Sequence, residues 1–358
     1  MRSPFRPLVL GLAGTLLVAA CGGGGSSPSV APAPSDAPTG AASVAPDVSP
    51  SGTLTVYSGR SEELVGPLIE RFEAQTGVDV EVNYAGTTDL AATILEEGDA
   101  SPADVFFAQD AGALGAVAAE GRLTTLPSTT LDKVDARFRS DDGQWVGLSG
   151  RARVVVYDTR LYAAADLPTS IEAFTDPAWS GKIGWAPTNA SLQSFVTAYR
   201  VLEGDEAAKA WLEGIVANEA KVYEGNGAVL AAVAAGEIEV GFVNHYYLLQ
   251  QLAEDPSFPV ANHFLAGDDP GSLINVAGAG ILTTAPNPVA AQAFIDFLLS
   301  EESQAYFATE TNEYPLIAAV AADPVLPPLA DMASPDIDLS DLSDLEGTLQ
   351  LLQDAGVL

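Results

Sequence analysis

The sequence predicts an α/β protein of two lobes built on mostly parallel sheets. Strand-like and helix-like runs alternate along most of the chain, the pattern of βαβ units. About 300 residues follow a low-complexity N-terminal segment, more than a single core usually serves. Apolar residues make up 47% of the 358, enough to fill two cores. No internal repeat is present.

The elements follow in order. Thr53–Tyr57 reads as a strand and Ser58–Ser61 as a turn. Glu62–Gln75 reads as a helix with Leu64, Val65, Leu68, Ile69 and Phe72 on one face. Ser61 suits its N-cap, Glu62 and Glu63 suit the positive end of its dipole, and Gly77 closes it. Val78–Tyr84, Asp89–Glu97 and Ala103–Phe107 continue as strand, helix and strand, and an Ala-rich helix ends near Gly121. Beyond an irregular stretch, Arg153–Tyr157 and Lys182–Trp185 read as strands. Helices follow at Leu192–Leu202, Glu206–Ala217 and Ala228–Ala235. Ile238–Val243 is a strand and Leu248–Glu254 a helix. Ile274–Thr283 is a long apolar strand, with helices at Pro288–Leu299 and Ser303–Thr309. Leu339–Leu352 alternates acids with leucines and reads as a cap on one lobe.

The start of the chain sets the compartment. Arg2 and Arg6 precede an apolar run from Leu8 to Ala20, too short to span a bilayer, so residues 1–20 read as a secretory signal. Small residues lead to Cys21, the only cysteine, in a pattern that resembles a bacterial lipoprotein signal. The expectation is an extracytoplasmic protein held at the membrane only by a lipid on Cys21. Residues 21–51, rich in Gly, Ser, Pro and Ala, bury too little apolar surface to order themselves and read as a tether spanning on the order of 30 Å. A net charge of −33 repels nucleic acid and anionic headgroups, which excludes both as partners.

In open parallel sheets ligands sit beyond the carboxyl ends of strands. Five polar turns qualify: Ser58–Glu62, Ala108–Asp110, Pro187–Ser191, Gly225–Gly227 and Asn244–Tyr247. The last is the most informative. Tyr246 and Tyr247 stand side by side between a strand and a helix, where two phenols can converge. As phenolates they are hard donors suited to a hard cation such as Fe³⁺. The ordinary reading of such a pair is two amphipathic rings with wet edges.

Other motifs fail or stay structural. Gly225-Asn226-Gly227 opens a helix, but Leu230 breaks the dinucleotide fingerprint. Asp336, Asp338 and Asp341 resemble a calcium loop, but Asp341 stands where that loop requires glycine. His245 and His263 are the only histidines, and the body has no cysteine, which argues against a zinc enzyme. His245 reads as a structural or pocket-edge residue. Arg151 and Arg153 read as partners of surface acids, with an anion in the cleft as the other reading.

Six segments together resemble the bacterial ferric-iron-binding proteins, the solute-binding lipoproteins of iron ABC importers. They are Thr55–Gly59, Pro102–Phe107, Leu148–Asp158, Gly181–Gly184, Asn244–Tyr247 and Glu313–Leu316. The resemblance implies a type II periplasmic-binding-protein fold with a ligand cleft between lobes. The N-lobe would comprise 52–151 and 276–326, and the C-lobe 152–275 and 327–358. It implies Tyr246 and Tyr247 as ligands of Fe(III), a synergistic anion in a pocket lined by Asn189, Ser191, Asn226 and Asn244, a monomer, and an ABC permease as partner. Many relatives carry a histidine ligand where this chain has Ser61, and a glutamate where it has Gln109; both positions are kept as pocket residues. Glu62 and Asp110, one residue further on, are carboxylates and the candidate replacements, each with a structural alternative at a helix start. The alternatives in function are a same-fold binder of an organic anion or phosphonate, and a secreted hydrolase using paired carboxylates.

Overall fold

A computed structural model describes residues 49–265, 267–332 and 334–358. The signal, Cys21 and nearly all of the tether lie outside the described residues. The strands are β1 (Thr53–Ser58), β2 (Asp79–Tyr84), β3 (Val105–Ala108), β4 (Val146–Asp158), β5 (Ile183–Trp185), β6 (Lys221–Val222), β7 (Val240–Asn244), β8 (Val260–His263), β9 (Ile274–Ile281) and β10 (Tyr314–Pro315). The helices are α1 (Glu62–Thr76), α2 (Thr87–Glu97), α3 (Ala111–Ala119), α4 (Ser128–Leu131), α5 (Ala190–Glu203), α6 (Asp205–Ala217), α7 (Asn226–Ala235), α8 (Tyr246–Glu254), α9 (Pro288–Leu298), α10 (Glu301–Thr309) and α11 (Leu345–Asp354). Among the described residues no helix is long and apolar enough to cross a membrane.

The strands run in the order β2-β1-β3-β9-β4-β7-β5-β6, with β8 and β10 also paired to β4. β1 is parallel to β2 and β3, and β5 is parallel to β6 and β7. The two parallel halves are joined through antiparallel β9 and β4. β4 is thirteen residues long and buried throughout. Its first half pairs with β9 and β10, and its second half with β7 and β8. The sequence shows only its second half as a strand, because Gly147, Ser149 and Gly150 lack strand character; the register shifts between Gly147 and Ser149.

Each half has its own core. Phe72, Phe106, Trp145, Phe294 and Leu298 anchor the first. The second sheet is covered on both faces, as parallel sheets require. Val155 and Tyr157 face Phe174, Trp185, Trp211 and Phe242, while Val154 and Val156 face Val229, Val233 and Leu248. That alternation is the two-residue period of β4.

The C-terminal segment reaches both cores rather than capping one. Leu339 and Leu342 are buried in the first, and Leu352 and Ala355 in the second. Between them Asp344 caps α11 through Gly347 N–H and is held by the Arg200 guanidinium at 2.9 Å. The segment lies close against α3, where a Cβ on Gly115 would come within 2.7 Å of the Ser340 carbonyl oxygen. α1 ends as the sequence implies, with Gly77 at φ 74° in the left-handed region. Ser61 stands at its N-cap position without a side-chain capping bond.

Candidate metal centre

The five polar turns gather into two groups. In the first half Thr87 links two of them: its hydroxyl accepts from Gln109 N–H at 3.1 Å and lies 3.5 Å from the Gly59 carbonyl. In the second half the other three meet at the starts of α5, α7 and α8. Asn226 Nδ2 donates to Ser191 Oγ at 3.2 Å and to Asn189 Oδ1 at 3.4 Å. Asn189 caps α5 by accepting from Ser191 N–H. Arg153, projecting from β4, donates to Ser191 Oγ and to Asn244 Oδ1, each at 3.4 Å. Of the four polar residues named for the anion pocket, Asn189, Ser191 and Asn226 are joined by direct bonds, and Asn244 is linked to them through Arg153.

Tyr246 and Tyr247 are the first two residues of α8, so the helix starts two residues earlier than the periodicity of its leucines suggests. Their rings stack, with centroids 4.4 Å apart and planes at 26°. The position puts both phenols at the positive end of a helix dipole, which favours negative charge. Tyr246 is only 3% exposed, and Tyr247 is half-buried. Burial pushes the Tyr246 phenol well above its usual value, and Tyr247 adds to the rise; Arg151 and Arg60 oppose it. The Tyr246 phenol therefore keeps its proton at neutral pH.

The two arginines that act on Tyr246 come from the first half, at the β1–α1 turn and on β4. Arg60 is buried and donates to Glu313 Oε2 at 2.8 Å. Glu313 also accepts from Ser149 Oγ and Thr311 Oγ1. Arg151 is 2% exposed, with Nε 4.0 Å from Glu313 Oε1. Burial pulls the Arg153 guanidinium down to about 9, while the two tyrosines pull it back up; at neutral pH it stays charged. The expectation that Arg151 and Arg153 pair with surface acids is wrong. Both point inward from a fully buried strand.

The remaining candidates have plain positions. Asp110 is buried and caps α3, accepting from Ala113 N–H at 3.2 Å. Burial raises its carboxyl, with Arg151, the Ala113 and Gly112 amides and Ser194 opposing the rise. Glu62 and Ser61 are exposed at the start of α1. Glu62 lies near Tyr84, whose phenol is raised by burial first and by the Glu62 charge second. Among the described residues no three His, Cys, Asp or Glu side chains converge as a metal site. A cavity of about 350 Å³ adjoins Asp110, Ala190, Gln193 and Ser194, between α2 and α3 on one side and α5 on the other.

His245 is wholly buried and committed to backbone on both ring nitrogens. Nδ1 accepts from Ala152 N–H at 3.1 Å, so the proton sits on Nε2, 3.0 Å from the Asn312 carbonyl. It ties the tyrosine turn to β4 and to the segment entering β10.

The comparisons with known proteins agree with the fold. Residues 67–333 match the model of the bacterial extracellular solute-binding protein family. The major ferric iron-binding protein of Neisseria meningitidis serogroup A is 36% identical over 311 residues, which covers 85% of this chain and 93% of that protein. Iron-bound HitA from Pseudomonas aeruginosa superposes with a TM-score of 0.80 at 34% identity, covering 85% of this chain and 99% of HitA. The Trichodesmium IdiA (FutA) structure in complex with iron and citrate ligands gives 0.75 at 30% identity, covering 86% of this chain and all of that one. The architecture is the two-lobed type II periplasmic-binding fold.

His245 generates a test. Burial holds its imidazole down at about 4, against an ordinary value of about 6.5. The unfolded chain binds this proton more tightly, so the stability from the neutral ring is complete above about pH 6.5 and is lost as pH falls toward 4. Urea unfolding of the iron-free protein is expected to weaken by up to about 3 kcal/mol over that window through this group. His245→Asn is expected to flatten that part of the profile; an unchanged slope would show that other groups set it.

By sequence, coverage and fold, the chain belongs to the bacterial extracellular solute-binding proteins, a family of binding proteins rather than enzymes, and within it to the group of the ferric iron-binding proteins.

Proposed function

We propose that this protein captures ferric iron outside the cytoplasm and delivers it to the permease of an ABC importer. The observation that supports the reading is the stacked pair Tyr246 and Tyr247, set at the first turn of α8 beside buried guanidinium groups. A phenol that keeps its proton in the empty protein is a poor ligand for most cations. Fe³⁺ is acidic enough to displace that proton and hold the phenolate. The relatives with known names bear on the cargo directly, since they are iron-binding or iron-uptake proteins.

In this reading Tyr246 and Tyr247 supply two oxygens. Glu62 supplies a third when the lobes close, its exposure at the start of α1 leaving it free to move. Asp110 stays with α3. A synergistic anion completes the shell, Asn189, Ser191, Asn226 and Asn244 shape the second-lobe wall, and Ser61 and Gln109 line the first. The lobes meet at β4 and β9 and act as one monomeric trap, which the permease favours open. The protein would reside on the outer face of the cell membrane, anchored through a lipid on Cys21. Mass spectrometry of the mature N-terminus tests the anchor: a lipid-modified Cys21 is expected, and an unmodified start further along the chain would remove it.

Tyr246→Phe and Tyr247→Phe each delete one donor oxygen and keep the ring. Each is expected to lower ferric affinity by more than about 100-fold, with folding stability changed by about 1 kcal/mol or less. The phenolate-to-iron visible band is expected to vanish in the double variant. Parent-like iron binding in both single variants would leave the tyrosines a packing role and remove the chemical basis of the assignment.

A further inference from the structure

The two turns that carry the candidate ligands meet at one short segment. Asn312 and Glu313 lie between α10 and β10. On one side the Asn312 carbonyl faces His245 Nε2 at 3.0 Å, and His245 directly precedes Tyr246. On the other side Glu313 Oε2 accepts from Arg60 Nη2 at 2.8 Å, and Arg60 directly precedes Ser61 and Glu62. His245, Arg60 and Glu313 are each at most 1% exposed. The segment itself is held at both ends. Glu313 N–H donates to the Phe307 carbonyl of α10 at 2.9 Å, and Tyr314 pairs with Gly150 of β4. The Ser149 and Thr311 hydroxyls also donate to Glu313 Oε2, at 3.1 and 3.0 Å.

Asn312 has a backbone that side chains rarely adopt. Its φ is 58°, and among the described residues only Glu219, at 56°, is a second non-glycine residue with positive φ. Asparagine tolerates this left-handed region better than most residues. The bend lets the carbonyl of one residue and the side chain of the next serve partners from different halves of the molecule. The buried Arg60–Glu313 pair adds little net stability, because desolvation offsets its attraction; what it supplies is fixed geometry. Metal affinity depends on the groups that hold the ligands as well as on the ligands themselves.

We propose that Asn312 and Glu313 are positioning residues of the metal centre: through His245 and Arg60 they hold the turn of Tyr246 and Tyr247 in register with the turn of Ser61 and Glu62. Neither touches the metal. The left-handed backbone at Asn312 is the joint that lets one segment serve both turns. The proposal rests on the ferric reading, and the test separates the two.

Four variants of the full chain are compared with the parent by titration with ferric citrate, by the visible band and by urea unfolding. Asn312→Gly accepts the positive φ without strain and is expected to match the parent. Asn312→Val resists that conformation and is expected to bind iron at least about ten-fold more weakly, with a shifted band. Glu313→Asp keeps the charge but shortens the reach to Arg60. It is expected to weaken iron binding by a similar factor, and it supplies the measurement if the valine variant folds poorly. Glu219→Val imposes the same backbone strain between α6 and β6. It is expected to lower stability and leave iron affinity and band unchanged. An iron-free arm follows the His245 Nε2–H proton by NMR. That proton is expected to be protected from solvent in the parent and in Asn312→Gly, and to exchange in Asn312→Val. Parent-like iron binding in both Asn312→Val and Glu313→Asp would overturn the proposal. So would an equal loss of iron affinity in Glu219→Val, which would make the effect one of general stability. A parent with no ferric band, whose His245 proton still responds to Asn312→Val, would leave the link between the turns standing and defeat the iron reading instead.

Discussion

One strand holds the molecule and its site together. β4 is the long stretch of backbone that pairs with strands of both halves, and its thirteen residues are buried from end to end. Along it stand Ser149, Arg151 and Arg153, and its Ala152 amide anchors His245. A strand so placed cannot be displaced without disturbing two cores. Side chains on it are therefore fixed with a precision that a surface loop does not give. Charged residues there are costly, so their presence in an otherwise apolar strand calls for an electrostatic reason.

The pair of phenols stands beside these arginines: Arg151 and Arg60 oppose the rise of the Tyr246 phenol, and the two tyrosines oppose the fall of the Arg153 guanidinium. Burial alone makes a phenol reluctant to ionise, as the raised Tyr246 shows. Arginines beside it and a helix N-terminus beneath it work in the opposite direction. The balance leaves the Tyr246 phenol raised, so it carries its proton at neutral pH. Ser61 and Glu62 stay exposed at the start of α1, and among the described residues no three His, Cys, Asp or Glu side chains converge as a metal site.

Much of this was legible in the sequence. Strand–helix alternation announces the α/β class because each element buries one regular face. The Tyr246–Tyr247 turn is visible because a β-branched run changes to a helical period across it. Three things were hidden. The first half of β4 contains Gly147, Ser149 and Gly150, whose strand state comes from tertiary pairing rather than propensity. Burial of Arg151 and Arg153 runs against the rule that arginines face water; the signal was their alternation with Ala152 and Val154 at a two-residue period. The C-terminal segment reaches both cores because Leu342 and Leu352 fall on either side of Asp344, and short-range pattern does not say which core each leucine will meet.

Where iron binds decides the role of the tyrosine pair. Anomalous diffraction at the iron edge, from crystals of the protein loaded with ferric iron and bicarbonate, locates the metal without assumption. The predicted result is one strong peak within bonding distance of the hydroxyl oxygens of Tyr246 and Tyr247. Iron found only among exposed carboxylates, with both tyrosines unligated, would contradict it.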